Sequence, residues 1–541
     1  MKTYCNSSIL LVVATHTFLW SISSSIPQAS AYITSGLPGH RHRAWLKQMT
    51  SDICQLPPGE LSPEECLTTP LLLSAWAQNP WLSHRSKNGS SITSNVFPHH
   101  GKECALTCEQ LLKRLIDERR AGNQNAIANT QTYNALIDVW SKSGERGAAA
   151  ERAEQIVIGM QDAFVAGEKE VQPDLESFRL VLKAWSQAKG EEYAPYRAQQ
   201  ILDWMSRLYE SGENSLVQPD ADCFDIALHT WAISKRVDAP RKTEKLILSM
   251  IRLYENGNLN AKPSRLSFNQ VLTAWSKVQN PEAAQRAQDI LNQMRDGGKS
   301  TNHDLTPNIA SYSAVVFAWC KSQHQDSGRR AERILKRAEK HSRQSPDEVV
   351  LDNVIYNLVI DAHSKTSSNK AHLRARTVLD RLIAQYDDGL ERCKPDVYSF
   401  TSVLGSCASL SGSKNERRQA FEVAKATFDD MLRSGVKPNH VSYGIMIKAC
   451  ARLIPMGKER QKYTSAYFKD ACRDGCVGAM VLDRLKEASS TNQYNALLKV
   501  ESENSLPADW TANVPAHEKY SRKNGQSNKM KKTITRKRRQ I

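Results

Sequence analysis

Thr132-Tyr133-Asn134-Ala135-Leu136-Ile137 opens a pattern that returns as Ser177-Phe178-Arg179-Leu180-Val181-Leu182, Ser267-Phe268-Asn269-Gln270-Val271-Leu272, Ser311-Tyr312-Ser313-Ala314-Val315-Val316 and Ser399-Phe400-Thr401-Ser402-Val403-Leu404. A hydroxyl residue comes first, then an aromatic, then a polar residue, then an apolar run. The hydroxyl suits an N-cap. Six residues beyond the polar position stands a large or sulfur-bearing side chain: Trp140, Trp185, Trp231, Trp275, Trp319, His363, Cys407 and Cys450. That stripe is expected to be packing between helices, not a binding surface.

A second helix follows in each unit. It carries a small residue and, seven later, an apolar one: Ala153/Met160, Ala198/Met205, Thr243/Met250, Ala287/Met294, Ala331/Ala338, Ala375/Leu382 and Ala424/Met431. Seven residues return to the same helix face. A proline and a polar residue then stop the unit at Pro173-Asp174, Pro219-Asp220, Pro263-Ser264, Pro307-Asn308, Pro395-Asp396 and Pro438-Asn439; proline forces an extended entry to the next unit. The units are 130–174, 175–220, 221–264, 265–308, 309–352, 353–396, 397–439 and an atypical 440–488, with a helical half-unit at 104–120 before them. Such units cannot bury their apolar faces alone, so they must stack. The fold class is all-α, a solenoid of helix–turn–helix repeats of about 44 residues.

The recurring elements (Tyr-Asn-Ala-Leu-Ile-Asp, Trp-Ser-Lys, Arg-Ala-Glu, Met, Pro-Asp) resemble the pentatricopeptide repeat over residues 104–488. The units are longer than the family's, with the excess between the paired helices and after the second one. The resemblance implies a right-handed superhelix that binds single-stranded RNA, one base per repeat. The reading side chains are the polar residue after the hydroxyl–aromatic pair and the last residue of the unit. Carried over, the pairs are Asn134/Asp174, Arg179/Asp220, Asp225/Ser264, Asn269/Asn308, Ser313/Asp352, Asn357/Asp396 and Thr401/Asn439. By the family's code, Asn with Asp favours U, Asn with Asn a pyrimidine, Ser with Asp G, and Thr with Asn A. The second and third pairs fit no familiar combination.

A base must also be sandwiched by the residue two before the aromatic. That residue is Leu266, Ala310, Val354, Tyr398 or Val441 in the later units, but Gln131, Glu176 or Asp222 in the earlier ones. A carboxylate pressed against a base near phosphates is unfavourable. Two residues past the Trp/His/Cys position the family often places a phosphate contact, here Lys142, Lys277, Lys321, Lys365 and Arg452; Gln187, Ile233 and Ser409 break the series. Residues 175–264 therefore look poor at holding a base. Residues 265–439 are expected to read 5′-pyrimidine-G-U-A-3′.

The rest of the chain bounds this picture. It has 541 residues and a net charge of +16, which suits a polyanionic partner. Its twelve cysteines are scattered without a CxxC pair, so neither a metal site nor a disulfide framework is expected. Lys2, the apolar run 9–20 and Ala29-Ser30-Ala31 form a signal-peptide pattern over 1–31. The acid-free segment 32–51, with Arg41, Arg43 and Lys47, reads as transit-like. Together they resemble the bipartite presequence of complex algal plastids, which implies a plastid location, with the mitochondrion as the alternative. Residues 52–103 read as a mostly disordered linker and 489–541 as a disordered basic tail. There is no phosphate loop, HExxH or deaminase signature, so no enzyme, cofactor or metal is expected, and no membrane partner. Two function classes stay open: an RNA-binding protein of organellar RNA stability, processing or translation, working with other RNA-processing proteins, or a protein-interaction scaffold without sequence-specific RNA binding.

Overall fold

The computed structural model describes residues 39–78, 100–300, 305–498 apart from 367 and 369, and 506–518. All regular elements among them are helical. The signal-peptide segment lies outside the described residues. The chain divides into two compact units that meet in sequence at Pro263 and Ser264.

The first unit holds α1 (Gly39–Gln55), α2 (Pro63–Gln78), α3 (His100–Arg120), α4 (Thr130–Lys142), α5 (Arg146–Val165), α6 (Leu175–Gln187), α7 (Ala194–Glu210), α8 (Ala221–Ile233) and α9 (Ala239–Glu255). From α2 onward these pair as hairpins. The first helices α2, α4, α6 and α8 pack side by side, and the second helices α3, α5, α7 and α9 pack behind them.

In the second unit the first helices are α10 (Arg265–Ser276), α12 (Ile309–Lys321), α14 (Asn353–Ser364), α16 (Val397–Ala408), α18 (His440–Leu453) and α20 (Ala479–Ala488). The second helices are α11 (Pro281–Ser300), α13 (Ser327–Gln344), α15 (Ala371–Asp387), α17 (Lys414–Arg433) and α19 (Lys458–Arg473), with a short α21 (Thr491–Leu498) after α20. Here too each first helix packs against the next first helix and against its own partner.

Local chemistry explains the repetition. Each second helix of the Ala153, Ala198, Ala375 and Ala424 type turns its small residue and the apolar residue seven later into the core, where they are fully buried. Most of these helices end on a glycine with positive φ, such as Gly167 (φ 108°) and Gly435 (φ 72°). The bond from Glu168 N to Ala163 O across Gly167 is a Schellman stop, which a side-chain-bearing residue would strain. Short 3-10 turns at Lys169–Val171, Leu259–Ala261 and Glu391–Cys393 follow. These turns, with second helices of 16–20 residues against first helices of 12–14 from α4 to α19, accommodate the added length per unit.

The Trp stripe is structural. Trp185, Trp231, Trp319, His363, Cys407 and Cys450 are essentially inaccessible, Trp140 is buried and Trp275 is partly so. Several reach a polar side chain 31 residues earlier, on the preceding second helix. Trp140 Nε1 donates to Glu109 at 3.0 Å, Trp185 Nε1 to Glu154 at 3.0 Å, Trp319 Nε1 to Gln288 at 3.1 Å, and His363 Nε2 lies 3.2 Å from Glu332. An indole is large and apolar but must place its N–H, so each latch joins adjacent hairpins by packing and by one directed bond. Arg152 and Arg197 close the first two latches by pairing with Glu109 and Glu154.

The structure corrects five expectations. The hydroxyl residues are not N-caps; they are the third helical residue, and the cap is the polar residue three earlier. The stretch 52–103 is not simply linker. Its α2 completes the half-unit at 104–120 into a full hairpin, and Leu72, Leu73 and Trp76 share a core with Cys108, Leu111, Leu115 and Trp140. The second part of the transit-like segment falls in α1, where Leu46 and Ile53, seven apart, are buried in that same core and Thr50 accepts a bond from Trp76. Buried Glu118 ties down the intervening loop by accepting from Gly59 N at 2.8 Å. The unit expected at 440–488 ends before Ala479, because α20 packs beside α18 as a new first helix. Finally, residues 506–518 are not disordered tail. Trp510 meets Phe468 edge-on at 5.8 Å, Val477 N donates to Trp510 O, and Asn513 N donates to Gly475 O.

Candidate nucleic-acid interface

Each first helix from α4 to α18 starts with an extended residue that caps it: Asn129, Asp174 and Asp220 in the first unit; Ser264, Asn308, Asp352, Asp396 and Asn439 in the second. One side-chain oxygen accepts the backbone N–H of the third helical residue, satisfying an otherwise orphaned donor. Where that third residue is serine, as at 177, 267, 311, 399 and 442, its hydroxyl bonds back to the cap and closes a capping box.

This cap chemistry fixes what each unit presents. The residue last in one unit is the cap of the next. Oδ1 of Asp396 accepts from Ser399 N at 2.8 Å, Ser399 Oγ at 2.9 Å and Asn357 Nδ2 at 3.3 Å. Oδ1 of Asn308 accepts from Ser311 N at 3.1 Å, Ser311 Oγ at 3.1 Å and Asn269 Nδ2 at 3.3 Å. With Oδ1 committed, an aspartate has an acceptor left, Oδ2, and an asparagine has a donor left, Nδ2. Asp396 Oδ2 lies 3.3 Å from the exposed Asn353 amide.

Four of the expected pairs are thus in contact: Asn134/Asp174, Arg179/Asp220, Asn269/Asn308 and Asn357/Asp396. Asn134 Nδ2 donates to Asp174 Oδ1 at 3.1 Å, and Ser177 Oγ lies 2.6 Å from Asn134 Oδ1. Asn269 repeats this with Asn308, and Ser311 Oγ lies 2.7 Å from Asn269 Oδ1. Asn357 differs: it is 7% exposed, and its buried Oδ1 has no hydrogen-bond partner. Ser313 is half-buried. Thr401 is 8% exposed and its hydroxyl bonds Val397 O at 2.8 Å, so within that pair Asn439 has the freer polar group. Asp352 caps α14 through Ile355 N at 3.1 Å.

The stacking positions stand beside this row. Leu266, Val354 and Tyr398 are each about half exposed at 52–53%, Ala310 is exposed and Val441 is half-buried. In the first unit the same place holds exposed Gln131, Glu176 and Asp222. Arg179 is locked there, paired at 2.7 Å with both Asp220 and Glu176. Its guanidinium thereby consumes the second oxygen of Asp220. The row also has an end that sequence reasoning missed. After Asn439 the reading positions become Gly444 and Gly478, and Met480 fills the space, its Cγ 3.2 Å from where a Cβ on Gly444 would stand.

The expected phosphate contacts are uneven. Lys142 pairs with Asp138 at 2.5 Å and donates to Ala77 O at 2.7 Å. Lys365 pairs with Asp361 at 2.6 Å; burial pulls its pKa down, and Asp361 and Cys320 together more than offset this. Lys277 is lowered by burial, Lys321 lies 5.4 Å over the Phe317 ring, and Arg452 is 3.9 Å from Glu487. Lys142 and Lys365 thus serve first to hold a carboxylate one turn away, a pairing that their i,i+4 spacing already contained. Among the described residues, no group of three His, Cys, Asp or Glu side chains could hold a metal, and no helix is long and apolar enough to cross a membrane.

Comparison with known proteins adds a family match and distant structural likenesses. No curated protein sequence matches the chain. The crystal structure of the pentatricopeptide repeat protein PPR10 from maize aligns at 16% identity over 92% of this chain and 72% of that one, with a TM-score of 0.38. PPR10 in complex with an 18-nt psaJ RNA element aligns at 14% identity over 92% and 74%, with a TM-score of 0.28. The PPR repeat family model matches residues 416–452, which run along α17, through the stop at Pro438-Asn439, and along α18. The chain therefore carries a pentatricopeptide repeat at residues 416–452, set in stacks of helical hairpins of the same design.

Proposed function

We propose that this chain is a sequence-selective, non-catalytic single-stranded RNA-binding protein that acts in organellar RNA stability, processing or translation. One observation carries the reading: in the second unit, successive first helices bring Asn269/Asn308 and Asn357/Asp396 into contact pairs next to exposed Leu266, Val354 and Tyr398. Apolar and flat side chains offer surfaces to base faces, while the uncommitted cap atoms offer donors or acceptors to base edges. The family match at 416–452 supports RNA as the ligand. Residues 265–439 are the reading region, with the order 5′-pyrimidine-G-U-A-3′.

Four bases at roughly 1–3 kcal/mol each give modest affinity, so flanking electrostatic contacts or RNA-processing partners add to it. Binding acts by blocking nucleases or by holding local RNA unpaired, neither of which needs a catalytic group. The presequence pattern supports a plastid location, with the mitochondrion as the second choice. The burial of Leu46 in the first unit's core supports a processing site ahead of it. The scaffold reading is favoured only for residues 175–264, where Arg179 is held by three carboxylates, Glu176, Asp220 and the exposed Asp222.

The test is a salt-dependent gel shift on the core RNA, using the wild-type chain and Asn357 and Thr401 substitutions. The proposal expects the substitutions to erode preference at the third and fourth nucleotides. Equal behaviour of all versions contradicts base reading and favours the scaffold.

A further inference from the structure

Helix α13 carries seven cations and two acids. The fold does not require this: among the other second helices, α7 has two of each and α11 has three of each. Both acids of α13 are turned away from solvent and occupied. Glu332 is held by His363 at 3.2 Å, Lys336 at 3.0 Å and Arg381 at 3.4 Å. Glu339 accepts from the Tyr356 hydroxyl at 2.9 Å and from Arg381 at 2.5 Å. Arg330 turns inward over the Trp319 ring at 4.6 Å.

The outward face is left with Arg329, Arg333, Lys336, Arg337, Lys340 and Arg343, all exposed. Steps of three and four residues place Arg329, Arg333, Lys336, Lys340 and Arg343 on one stripe roughly 21 Å long. A groove of about 600 Å³ runs beside it, lined by Lys336, Glu339, Lys340, Arg343, Gln344 and Arg381. Like charges one turn apart disfavour the helix by a few tenths of a kcal/mol per pair, so the stripe is stabilised by a polyanion.

We propose that the outer face of α13 is a sequence-independent phosphate-binding surface that takes the backbone of RNA lying outside the nucleotides held by the row. It rests on the proposed function only in choosing RNA as the polyanion. An RNA strand fits better than an acidic protein. The exposed large apolar side chains of this chain include none on α13, so a protein interface there would lack the anchors that supply most of its affinity. Arginine, which supplies four of the six exposed cations, matches phosphate oxygens in pairs.

The experiment uses the full chain, a triple variant (R333Q/K340Q/R343Q) and a row variant (N357A/T401A). Three RNA probes are titrated between 50 and 200 mM salt: the bare core, the core with long single-stranded flanks, and the flanked RNA with a scrambled core. Removing three phosphate contacts should lower the salt slope on both flanked probes by about 2, so that the affinity lost across this salt range shrinks roughly 18-fold. Binding to the bare core should not change. The row variant should keep the slope and lose the preference for the unscrambled core. An unchanged slope in the triple variant overturns the α13 proposal. Polyglutamate is titrated alongside as an acidic-peptide probe; loss of its binding in the triple variant with RNA binding intact overturns the proposal too, in favour of an acidic protein partner. Loss of core preference in wild type with the slope effect present would instead remove the row and leave α13 standing.

Discussion

Asp396 does two things that two substitutions can separate. Its Oδ1 caps α16 and receives Asn357, while Oδ2, which takes only the exposed Asn353 amide, is the acceptor that the proposed function offers to a base. Asp396→Ala removes the cap, at about 1 kcal/mol. It also strips the acceptor from Asn357 Nδ2 in a side chain only 7% exposed, which adds about 1–2 kcal/mol. The expected loss is about 2–3 kcal/mol. Asp396→Asn keeps Oδ1, and asparagine caps as well as aspartate, so its cost should stay under about 0.5 kcal/mol.

Asparagine does, however, turn the outward atom from acceptor to donor. Uracil N3–H needs an acceptor and cytosine N3 needs a donor, so preference at the third core position should move from U towards C. A contact of this kind is worth about 1–3 kcal/mol, or roughly 5- to 150-fold. Denaturant titration measures the first effect. Fluorescence anisotropy with four RNAs differing only at that nucleotide measures the second. If Asp396→Asn destabilises as much as Asp396→Ala, the cap assignment is wrong. If it leaves nucleotide preference untouched, Asp396 is a cap and nothing more.

Glu154→Ala should cost about 2–4 kcal/mol in urea denaturation, because it leaves the buried Trp185 N–H and the Arg197 guanidinium without their acceptor; adding Trp185→Phe should recover part of the loss. The hydrogen bond from His363, with Lys336 alongside, holds the Glu332 carboxyl down at about 2 against an ordinary 4.5. A depressed folded-state pKa gives stability that is present above 4.5 and is lost as pH falls towards 2. It amounts to about 3 kcal/mol at most, and a stability–pH series should flatten over that window in Glu332→Gln. Trp510→Ala removes the ring packed on Phe468 and should release residues 506–518 to limited proteolysis while α19 and α20 stay protected.

The repeats were legible because their signals are local and recur. The seven-residue small–apolar step, the proline stop and the Trp position each mark a helix face or end, and all are found where the periodicity placed them. The phase of the cap was misread by three residues. A hydroxyl next to an aromatic looks like a cap, yet serine at the third helical position closes a capping box from inside, and the true cap is the polar residue after the proline, which the sequence marks as a stop and a reader. Helix α2 was missed for another reason. It is apolar nearly all round and contains Pro70, so it has no amphipathic period to detect, and its burial comes from α3 and α4. Residues 506–518 contain no regular element beyond the turn at Asp509–Thr511; backbone bonds to residues distant in sequence order them, and no local pattern announces such bonds. Lys142 and Lys365 show the same gap: each sits four residues after an aspartate, but only the structure shows the ion pairs made.

The most direct measurement is selection from a random single-stranded RNA pool by the purified full-length chain, followed by sequencing of the bound fraction. The row formed by Asn269, Asn308, Ser313, Asp352, Asn357, Asp396, Thr401 and Asn439 predicts enrichment of pyrimidine-G-U-A in that order, 5′ to 3′. A bound pool indistinguishable from the input, or enriched in an unrelated motif, would contradict it.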